Sequence, residues 1–408
     1  MIATSHGGAA AAHSRSRSDP AFRLPSQAGE KIASFLDRNS FERPTLVLDI
    51  DHVAERYQAL ARGLKGVRIH YAVKANPHPQ VIARLVGLGS RFDAASRAEI
   101  ELCLAQGADP ADISFGNTVK RPADIAWAHG LGIDLYAADA EEELAKLAAF
   151  APGARVCLRL LVEHTQADWP LTRKFGCAPE EALRLIGLAW SLGLKPVGLS
   201  FHVGSQTREA AMWRPVLDLV AGVWRDARAA GFALEILNIG GGFPAFYGEP
   251  VQEMQSYCAE VMAEIRDRFG DQPTCIMAEP GRGLVAEAGV IAAEVLLVSR
   301  KRPSDIARWV YLDIGKFSGL AETADEAIRY QIETSADGGE IGRNETGPCI
   351  LAGPTCDSAD VLYEKRPVQL PLALRAGDKV RILACGAYTA TYASVGFNGF
   401  PPLDVVCI

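Results

Sequence analysis

The sequence lacks any apolar run long enough to span a membrane, and it lacks a net positive charge. Its 408 residues carry a formal net charge of -7, which argues against nucleic acid as a partner. The first 25 residues contain no apolar core of the kind that a secretory signal needs. We therefore expect a cytoplasmic protein without membrane contact.

Paired cysteines are also missing. The nine cysteines are scattered and include no Cys-x-x-Cys pair, so the sequence predicts neither a zinc site nor a disulfide framework. We expect no metal, and free thiols fit a reducing compartment. Most of these cysteines are typical of core residues.

What the sequence does contain indicates two domains, because 408 residues exceed one ordinary core. Residues 1–43 are interpreted as a mobile tail and lead-in segment. Between 44 and 290, strand and helix patterns alternate eight to nine times, which predicts an α/β fold, a (β/α)₈ TIM-like barrel. Residues 291–408 hold strand-like runs with few long helices, and this predicts a mostly antiparallel β domain.

The stretch from Ile69 to Pro77 is the strongest local signal for chemistry. Lys74 stands at the carboxyl end of a predicted strand, where barrel enzymes place catalytic groups. Burial among apolar neighbours would lower the pKa of this lysine. A neutral lysine is a nucleophile that forms Schiff bases with aldehydes. The alternative is a lysine that simply reaches solvent.

Two further motifs follow predicted strands. Gly240, Gly241 and Gly242 could present backbone N–H groups to a phosphate, or could form only a tight turn. Glu279 and Arg282 offer a carboxylate for a pyridinium nitrogen and a guanidinium fork for a phosphate. Their alternative is a Glu–Arg ion pair with each other.

Isolated residues add weaker indications. His202 ends a predicted strand and faces either the site or the core, and Ser205 could donate to a phosphate. Cys356 and Asp357 could be a proton donor beside a cation-binding group, or an inert thiol beside a surface acid. Tyr388 could bind phosphate or only pack.

Together these motifs resemble the pyridoxal-phosphate-dependent basic amino-acid decarboxylases of the alanine-racemase fold type. The resemblance spans residues 44–408 and keeps the family's motif order. The matching motifs are Tyr71–Pro77, Arg173–Gly176, Phe201–Gln206, Gly240–Pro244, Glu279–Arg282, Gly353–Asp357 and Gly386–Thr389.

The resemblance implies the cofactor pyridoxal 5'-phosphate and a role for each motif. Lys74 would be the Schiff-base lysine, His202 would stack on the ring, and Glu279 would hold the pyridine nitrogen. Cys356 would protonate the product carbanion, Asp357 would bind the distal ammonium, and both would come from the partner in a homodimer. The remaining residues implied at the cofactor are Asp93, Arg159, Ser205, Gly241, Gly242, Gly281, Arg282 and Tyr388.

The predicted reaction is decarboxylation of L-ornithine to putrescine, with a possible L-lysine side activity. Diaminopimelate enzymes resemble the chain but typically carry Glu where it has Asp357. One methylene of substrate length is worth only about 1–3 kcal/mol, so lysine stays open, as does the acid within residues 313–330 that would contact the distal amine. An amino-acid racemase and a non-catalytic relative are the competing hypotheses. The Cys-Asp pair argues against a racemase, and the presence of Lys74, Cys356 and Asp357 argues against a non-catalytic relative.

Overall fold

A computed structural model describes residues 26–163, 167–168, 174–337 and 345–408. The first 25 residues of the predicted tail lie outside this range, as does Arg173 of the motif Arg173–Gly176. The α-helices of the described residues are α1 (Ser26–Arg38), α2 (Ile50–Gly63), α3 (Pro79–Gly87), α4 (Arg97–Ala105), α5 (Pro122–Gly130), α6 (Glu141–Phe150), α7 (Pro179–Ser191), α8 (Arg214–Ala229), α9 (Met254–Phe269) and α10 (Arg282–Val285).

The strands divide between two sheets. The first sheet contains β2 (Arg68–Ala72), β3 (Arg91–Ala94), β4 (Ile113–Phe115), β5 (Leu135–Ala138), β6 (Arg155–Arg159), β7 (Lys195–Ser200), β8 (Ile236–Asn238) and β9 (Cys275–Ala278). The second contains β1 (Thr45–Leu48), β10 (Gly289–Ser299), β11 (Arg308–Leu312), β12 (Ile332–Thr334), β13 (Thr346–Ala352), β14 (Val361–Leu362), β15 (Val368–Pro371), β16 (Lys379–Ile382) and β17 (Asp404–Cys407).

Strands β2 to β9 form a closed parallel barrel, which confirms the predicted fold. The barrel closes where β9 pairs with β2, with Ala278 opposite Ile69. On the other side of β2, Ala72 is opposite Asp93. Because all eight strands run in one direction, their carboxyl ends meet at one mouth. Lys74, Asp93 and Glu279 follow or end strands at this mouth.

The second sheet has nine strands and is mostly antiparallel, also as predicted. Its long strand β10 pairs antiparallel with β1, β11 and β16. Two pairs, β1 with β17 and β11 with β13, are parallel. Assigning Thr45–Leu48 to the barrel segment is wrong, because this strand lies in the second sheet. A short apolar strand buried along its whole length has the same pattern in either sheet.

The lead-in segment contains a helix that the sequence analysis did not assign. Ile32 of α1 is fully buried and packs with Val47 and Val290, and Phe35 and Leu36 pack against this cluster. Their spacing is that of one helix face. The segment from residue 26 onward is therefore part of the packed structure.

Local chemistry explains where the barrel helices begin. The Asp49 carboxylate accepts the backbone N–H groups of Asp51 and His52 and caps α2. Ser96 caps α4 by accepting the N–H of Glu99 at 3.3 Å. Pro179 occupies the first position of α7, where its missing N–H is not needed. Asp49 lets α2 start directly after β1 of the second sheet, whereas α4 and α7 start after the segments that follow β3 and β6 of the barrel.

No helix in the described ranges is both long and apolar enough to cross a membrane. Within those ranges there is also no group of three or more His, Cys, Asp or Glu residues that could hold a metal ion. All nine cysteines are free thiols, and only Cys356 is exposed.

Candidate active site

Lys74 lies in a short helical turn, Val73–Ala75, directly after β2. Hydrogen bonds join the second domain to this turn and to Asn76, which follows it. The backbone N–H of Tyr388 donates to the carbonyl of Ala75 at 2.9 Å, and the side-chain amide of Asn76 donates to the carbonyl of Gly386 at 2.8 Å. The lysine turn and the Gly386–Thr389 motif therefore form one rigid unit, although the motif is more than 300 residues away in sequence.

Acidic groups surround the Lys74 amine. Burial by itself lowers the pKa of Lys74, but Asp93, Tyr388 and Glu279 together outweigh burial and raise it above the ordinary value. The expectation of a neutral lysine among apolar neighbours is therefore wrong for the protein alone. The sequence placed the lysine correctly but could not show that carboxylates from two other strands face it.

Asp93 at the end of β3 carries the opposite perturbation. Burial raises the pKa of this carboxyl, and the nearby charge of Glu279 raises it further, while Lys74 opposes both. One oxygen, Oδ1, is buried and has no hydrogen-bond partner among the described residues. Gly116 must be a glycine here, because a Cβ would lie 1.8 Å from that oxygen. The barrel mouth thus holds a buried acceptor that the protein itself leaves unsatisfied.

His202 follows β7 and is held in one tautomer. Its Nδ1 accepts the backbone N–H of Gly204 at 3.0 Å, so the neutral ring carries its proton on Nε2. Burial, with Arg159 and Lys74 nearby, holds the pKa of His202 well below its usual value. A neutral, fixed imidazole suits stacking on a flat ring. A Cβ on Gly241 would lie 3.1 Å from Nε2, so a larger residue would crowd the ring.

Glu279 follows β9 and is oriented by a residue that the sequence analysis missed. The side-chain amide of Asn238, at the end of β8, donates to Glu279 Oε1 at 2.5 Å. The other end of the same amide accepts the N–H of Gly240 at 3.0 Å. Two consecutive hydrogen bonds, from Gly240 to Asn238 and from Asn238 to Glu279, therefore orient the carboxylate. Asn238 carried a weak signal, since it is a polar residue ending an apolar strand.

The glycine run packs closely against the Phe201–Gly204 segment. Gly240 has φ +66°, and a Cβ there would lie 2.2 Å from the carbonyl oxygen of Phe201. Gly242 has φ +101°, and a Cβ there would lie 2.6 Å from the side chain of Val203. The run belongs to the long segment between β8 and α9, and not to a tight turn between strand and helix. A role in binding phosphate remains a prediction.

Arg282 is buried and contacts Ser205 and Tyr388, two other residues predicted to bind the phosphate. Its Nε donates to Ser205 Oγ at 3.1 Å, and its guanidinium lies 5.0 Å from the centre of the Tyr388 ring. Its ion pair is with Glu322, at 2.6 and 2.8 Å, and not with Glu279. The alternative of a Glu279–Arg282 pair is therefore wrong, and Glu322 is a second residue that the sequence analysis missed.

Gly281 and Arg159 complete the barrel mouth. A Cβ on Gly281 would lie 2.9 Å from Ala75 Cβ and 3.1 Å from the Tyr388 hydroxyl, so the backbone passes close to both. Arg159 ends β6, and its guanidinium lies 5.2 Å from the centre of the Phe175 ring. Phe175 belongs to the motif whose Arg173 lies outside the described residues.

The loop that carries Cys356 and Asp357 is fixed at its base and exposed at its tip. The buried Asp360 carboxylate accepts the N–H and hydroxyl of Thr355, the latter at 2.7 Å. At the tip, Asp357 accepts the N–H of Ala359, and the N–H of Cys356 donates to Asn398. Among the described residues, no hydrogen bond or ion pair joins Cys356 or Asp357 to Lys74.

The residues at the barrel mouth fit pyridoxal phosphate. Lys74 supplies an amine for the aldehyde, and Glu279 supplies a carboxylate held for the ring nitrogen. Ser205 and Arg282 supply neighbouring donors for the phosphate. The unpaired Oδ1 of Asp93 is a further acceptor at the same mouth, still without a partner.

Comparison with known proteins agrees with this fit. Residues 50–286 match the family model described as "Pyridoxal-dependent decarboxylase, pyridoxal binding domain". A lysine/ornithine decarboxylase from Selenomonas ruminantium is 33% identical over 358 residues, covering 88% of this chain and 87% of the relative.

Two solved structures share the whole fold. A lysine/ornithine decarboxylase from Vibrio vulnificus, complexed with cadaverine, superposes with a TM-score of 0.81 and 32% identity, covering 95% of this chain and 100% of that one. The arginine decarboxylase of Paramecium bursaria Chlorella virus, bound to agmatine, gives a TM-score of 0.82 and 27% identity, covering 93% of this chain and 100% of that one.

Proposed function

The chain belongs to the pyridoxal-phosphate-dependent ornithine, lysine and arginine decarboxylases, and we propose that its substrate is L-ornithine, which it converts to putrescine and carbon dioxide. L-lysine is the second substrate in this proposal. The observation that carries the cofactor assignment is the meeting of Lys74, Glu279 and Arg282 at one barrel mouth. The amine comes from the turn after β2, and the oriented carboxylate and the phosphate donor both come from the segment Glu279–Arg282 after β9.

Each of these groups has one task in the proposed reaction. Lys74 would hold the cofactor through its aldehyde carbon, and His202 would cover one face of the ring. The chemistry that pyridoxal phosphate supplies when bound is an electron sink for the pair left at Cα as carbon dioxide departs. Glu279 would keep the ring nitrogen protonated, which strengthens that sink. Asn238 would keep Glu279 in place through the 2.5 Å hydrogen bond.

A proton must then return to Cα. We assign this step to the Cys356 thiol of a second copy of the chain, because Cys356 is exposed and, among the described residues, no hydrogen bond joins it to Lys74 of its own chain. A thiol can act as a general acid that gives its proton to carbon. Asp357, its neighbour, would bind the distal ammonium of the substrate by a charge-assisted hydrogen bond.

Exposed apolar side chains support a contact with a second copy near this loop. Asn398, which accepts from the Cys356 backbone, follows a segment in which Tyr392, Val395 and Phe397 are 53%, 84% and 37% exposed. Large apolar residues grouped on a surface favour association. We propose a homodimer in which this surface carries Cys356 and Asp357 into the partner's site.

The acids of residues 313–330 bear on the choice of substrate. Glu322 is bound to Arg282, and Glu326 is bound to Arg329 and Arg366. Asp313 accepts the backbone N–H of Glu294 at 2.8 Å. Asp325 lies 3.5 Å from Lys365, but its side chain is 95% exposed, where such an ion pair is weak, and it lines a cavity of about 690 Å³ together with Glu326. We therefore propose Asp325 as the acid of this segment that can exchange Lys365 for a distal ammonium.

The test is carbon dioxide release by the purified protein with pyridoxal phosphate. The substrates are L-ornithine, L-lysine, L-arginine and meso-diaminopimelate, and Lys74→Ala is the control. Highest kcat/KM with ornithine, abolished in the control, is the expected result. A preference for lysine or arginine would reject ornithine and keep the reaction. D-amino acid without carbon dioxide would point to a racemase.

Mixing two impaired variants, assayed at an ornithine concentration far below the raised KM of Asp357→Ala, tests the shared site separately. Lys74→Ala subunits and Asp357→Ala subunits, mixed and allowed to exchange, form heterodimers with one intact site. Random exchange should restore about a quarter of the wild-type activity. Absence of any recovery, with subunit exchange verified by a tag on one variant, would contradict the proposal that two copies share each site.

A further inference from the structure

Glu322 is a buried carboxylate in the second domain, on the short helical segment Ala321–Glu326. Its side chain is 6% exposed, and the side chain of Arg282, its partner, is 3% exposed. The two oxygens of the carboxylate accept hydrogen bonds from the two terminal nitrogens of the guanidinium, from Nη1 at 2.8 Å and from Nη2 at 2.6 Å. This bidentate geometry fixes the plane of the guanidinium as well as its position.

The other contacts of Arg282 define which edge of the guanidinium is left for a ligand. A guanidinium has five N–H groups. Glu322 takes one from each terminal nitrogen, Tyr247 takes a second from Nη1 at 2.9 Å, and Ser205 takes the one on Nε. Among the described residues, no contact uses the second hydrogen of Nη2. That hydrogen lies on the edge shared with Nε, the edge that faces Ser205.

We propose that Glu322 is a positioning residue for the cofactor's phosphate: by holding the terminal-nitrogen edge of Arg282, it turns the Nε–Nη2 edge toward Ser205 and the phosphate. The inference rests on the proposed role of Arg282 as a phosphate ligand. It adds a carboxylate that acts only through the arginine and never touches the cofactor.

The negative charge of Glu322 has an effect opposite to that of its orienting contact with Arg282. A carboxylate beside the arginine reduces the positive field at the phosphate, so removing the charge alone would tighten phosphate binding. Removing the bidentate contact releases the guanidinium, since an amide presents N–H groups to one of the two N–H donors. The two effects have opposite signs, so the direction of the measured change distinguishes them.

The experiment compares two cofactor forms on the full-length protein after its cofactor has been removed. Dissociation constants of pyridoxal phosphate and of pyridoxal, which lacks the phosphate, are measured by fluorescence titration. For Glu322→Gln we expect about tenfold weaker binding of pyridoxal phosphate, the loss of one hydrogen bond to a charged group. The dissociation constant of pyridoxal should change by less than about twofold, because pyridoxal has no phosphate to contact Arg282.

A matched control separates positioning from stability. Glu143 is another buried carboxylate, paired with Lys120 at 3.0 Å and with Lys146 at 2.5 Å, outside the cofactor site. Glu143→Gln should lower the melting temperature and leave the ratio of the two dissociation constants unchanged. Glu322→Asp keeps the charge but shortens the side chain, so it should also weaken pyridoxal phosphate selectively, and it serves if Glu322→Gln does not fold.

Arg282→Gln separates this inference from its premise. If Arg282→Gln leaves the preference for the phosphorylated form intact, the role of Arg282 itself is wrong. If Arg282→Gln removes that preference while Glu322→Gln and Glu322→Asp keep it, only the positioning role of Glu322 is overturned. Tighter binding of pyridoxal phosphate by Glu322→Gln would also overturn it, because Glu322 would then act only as an opposing charge.

Discussion

The barrel mouth and the Cys356 loop differ in how far a single chain completes them. At the mouth, the side chains of Glu279 and Arg282 are held by hydrogen bonds, and the backbone N–H of Tyr388 in the second domain donates to the turn that carries Lys74. The Cys356 loop is held at its base by Asp360 and through the Cys356 backbone by Asn398, and the Cys356 side chain is exposed. The difference indicates that one chain preorganises the groups that would hold the cofactor, whereas it leaves the groups assigned to the substrate at its surface.

Replacing the central residue of the mouth should have the largest effect. Lys74→Ala should lower carbon dioxide release by about three orders of magnitude or more, as removal of a covalently acting residue does. It should also abolish the absorbance of stably bound cofactor. Lys195→Ala, at the opposite end of the barrel in β7, is the control and should change neither. Substantial turnover by Lys74→Ala would reject the assignment of the mouth as the active site.

The rigidity of the mouth can be broken at one glycine. Gly242→Ala places a Cβ 2.6 Å from Val203 at φ +101°, so the turn must shift, and we expect a loss of about 2–4 kcal/mol in the free energy of unfolding. Gly248→Ala is a matched control, since Gly248 has φ +98° but meets only the flexible Gln331 side chain at 3.4 Å. Denaturant unfolding of both measures the difference.

The difference between the two variants in lost free energy of unfolding measures the effect of the close approach of the new Cβ to Val203. Equal losses would mean that left-handed backbone strain alone accounts for the effect. In that case the turn would not depend on close packing against the Phe201–Gly204 segment.

The sequence predicted the barrel because its strands and helices alternate, and local periodicity reports local structure. It also identified Lys74, His202 and Glu279, because each stands at the end of an apolar strand. It did not identify Asn238 or Glu322, whose roles exist only through partners on other strands or in the other domain. The pKa of Lys74 was predicted in the wrong direction for the same reason, since the charges that raise it come from distant residues.

The strand Thr45–Leu48 shows a different limit. Its residues are buried along their whole length, so the pattern predicts a covered strand but not which sheet covers it. Pairing with β10 and β17 is decided by residues more than 240 positions away. Register between distant strands is not visible in one sequence without an alignment.

The proposed role of the Cys356 loop in binding substrate can be tested by replacing Asp357. Asp357→Ala should raise KM for ornithine about 10- to 100-fold, the equivalent of one charged hydrogen bond. Affinity for the cofactor should not change, because the cofactor would be held at the other region. Steady-state kinetics and cofactor titration give the two values. Glu364→Ala removes another exposed acid of the same domain and should leave KM unchanged; equal effects of the two variants would remove Asp357 from the substrate site.

The buried His70 of the barrel interior should make the free energy of unfolding depend on pH. Burial lowers the pKa of His70 to about 3, helped by the charge of Arg91. Between that value and the ordinary value of about 6.5, the unfolded chain binds a proton that the folded chain does not, so the free energy of unfolding falls as the pH falls. From pH 6.5 to pH 5 this one residue should contribute a loss of about 1–2 kcal/mol.

His70→Gln removes the titrating group and keeps a polar partner for Ser114, which lies 3.3 Å from the imidazole. Denaturant unfolding at pH 6.5 and pH 5 should show a smaller decrease for this variant than for the wild type. His129→Gln, on α5, is the control for loss of a histidine elsewhere and should keep the wild-type decrease. If His70→Gln keeps it as well, acid sensitivity arises outside the barrel interior, and the contrast between a preorganised barrel and an exposed loop would not extend to stability.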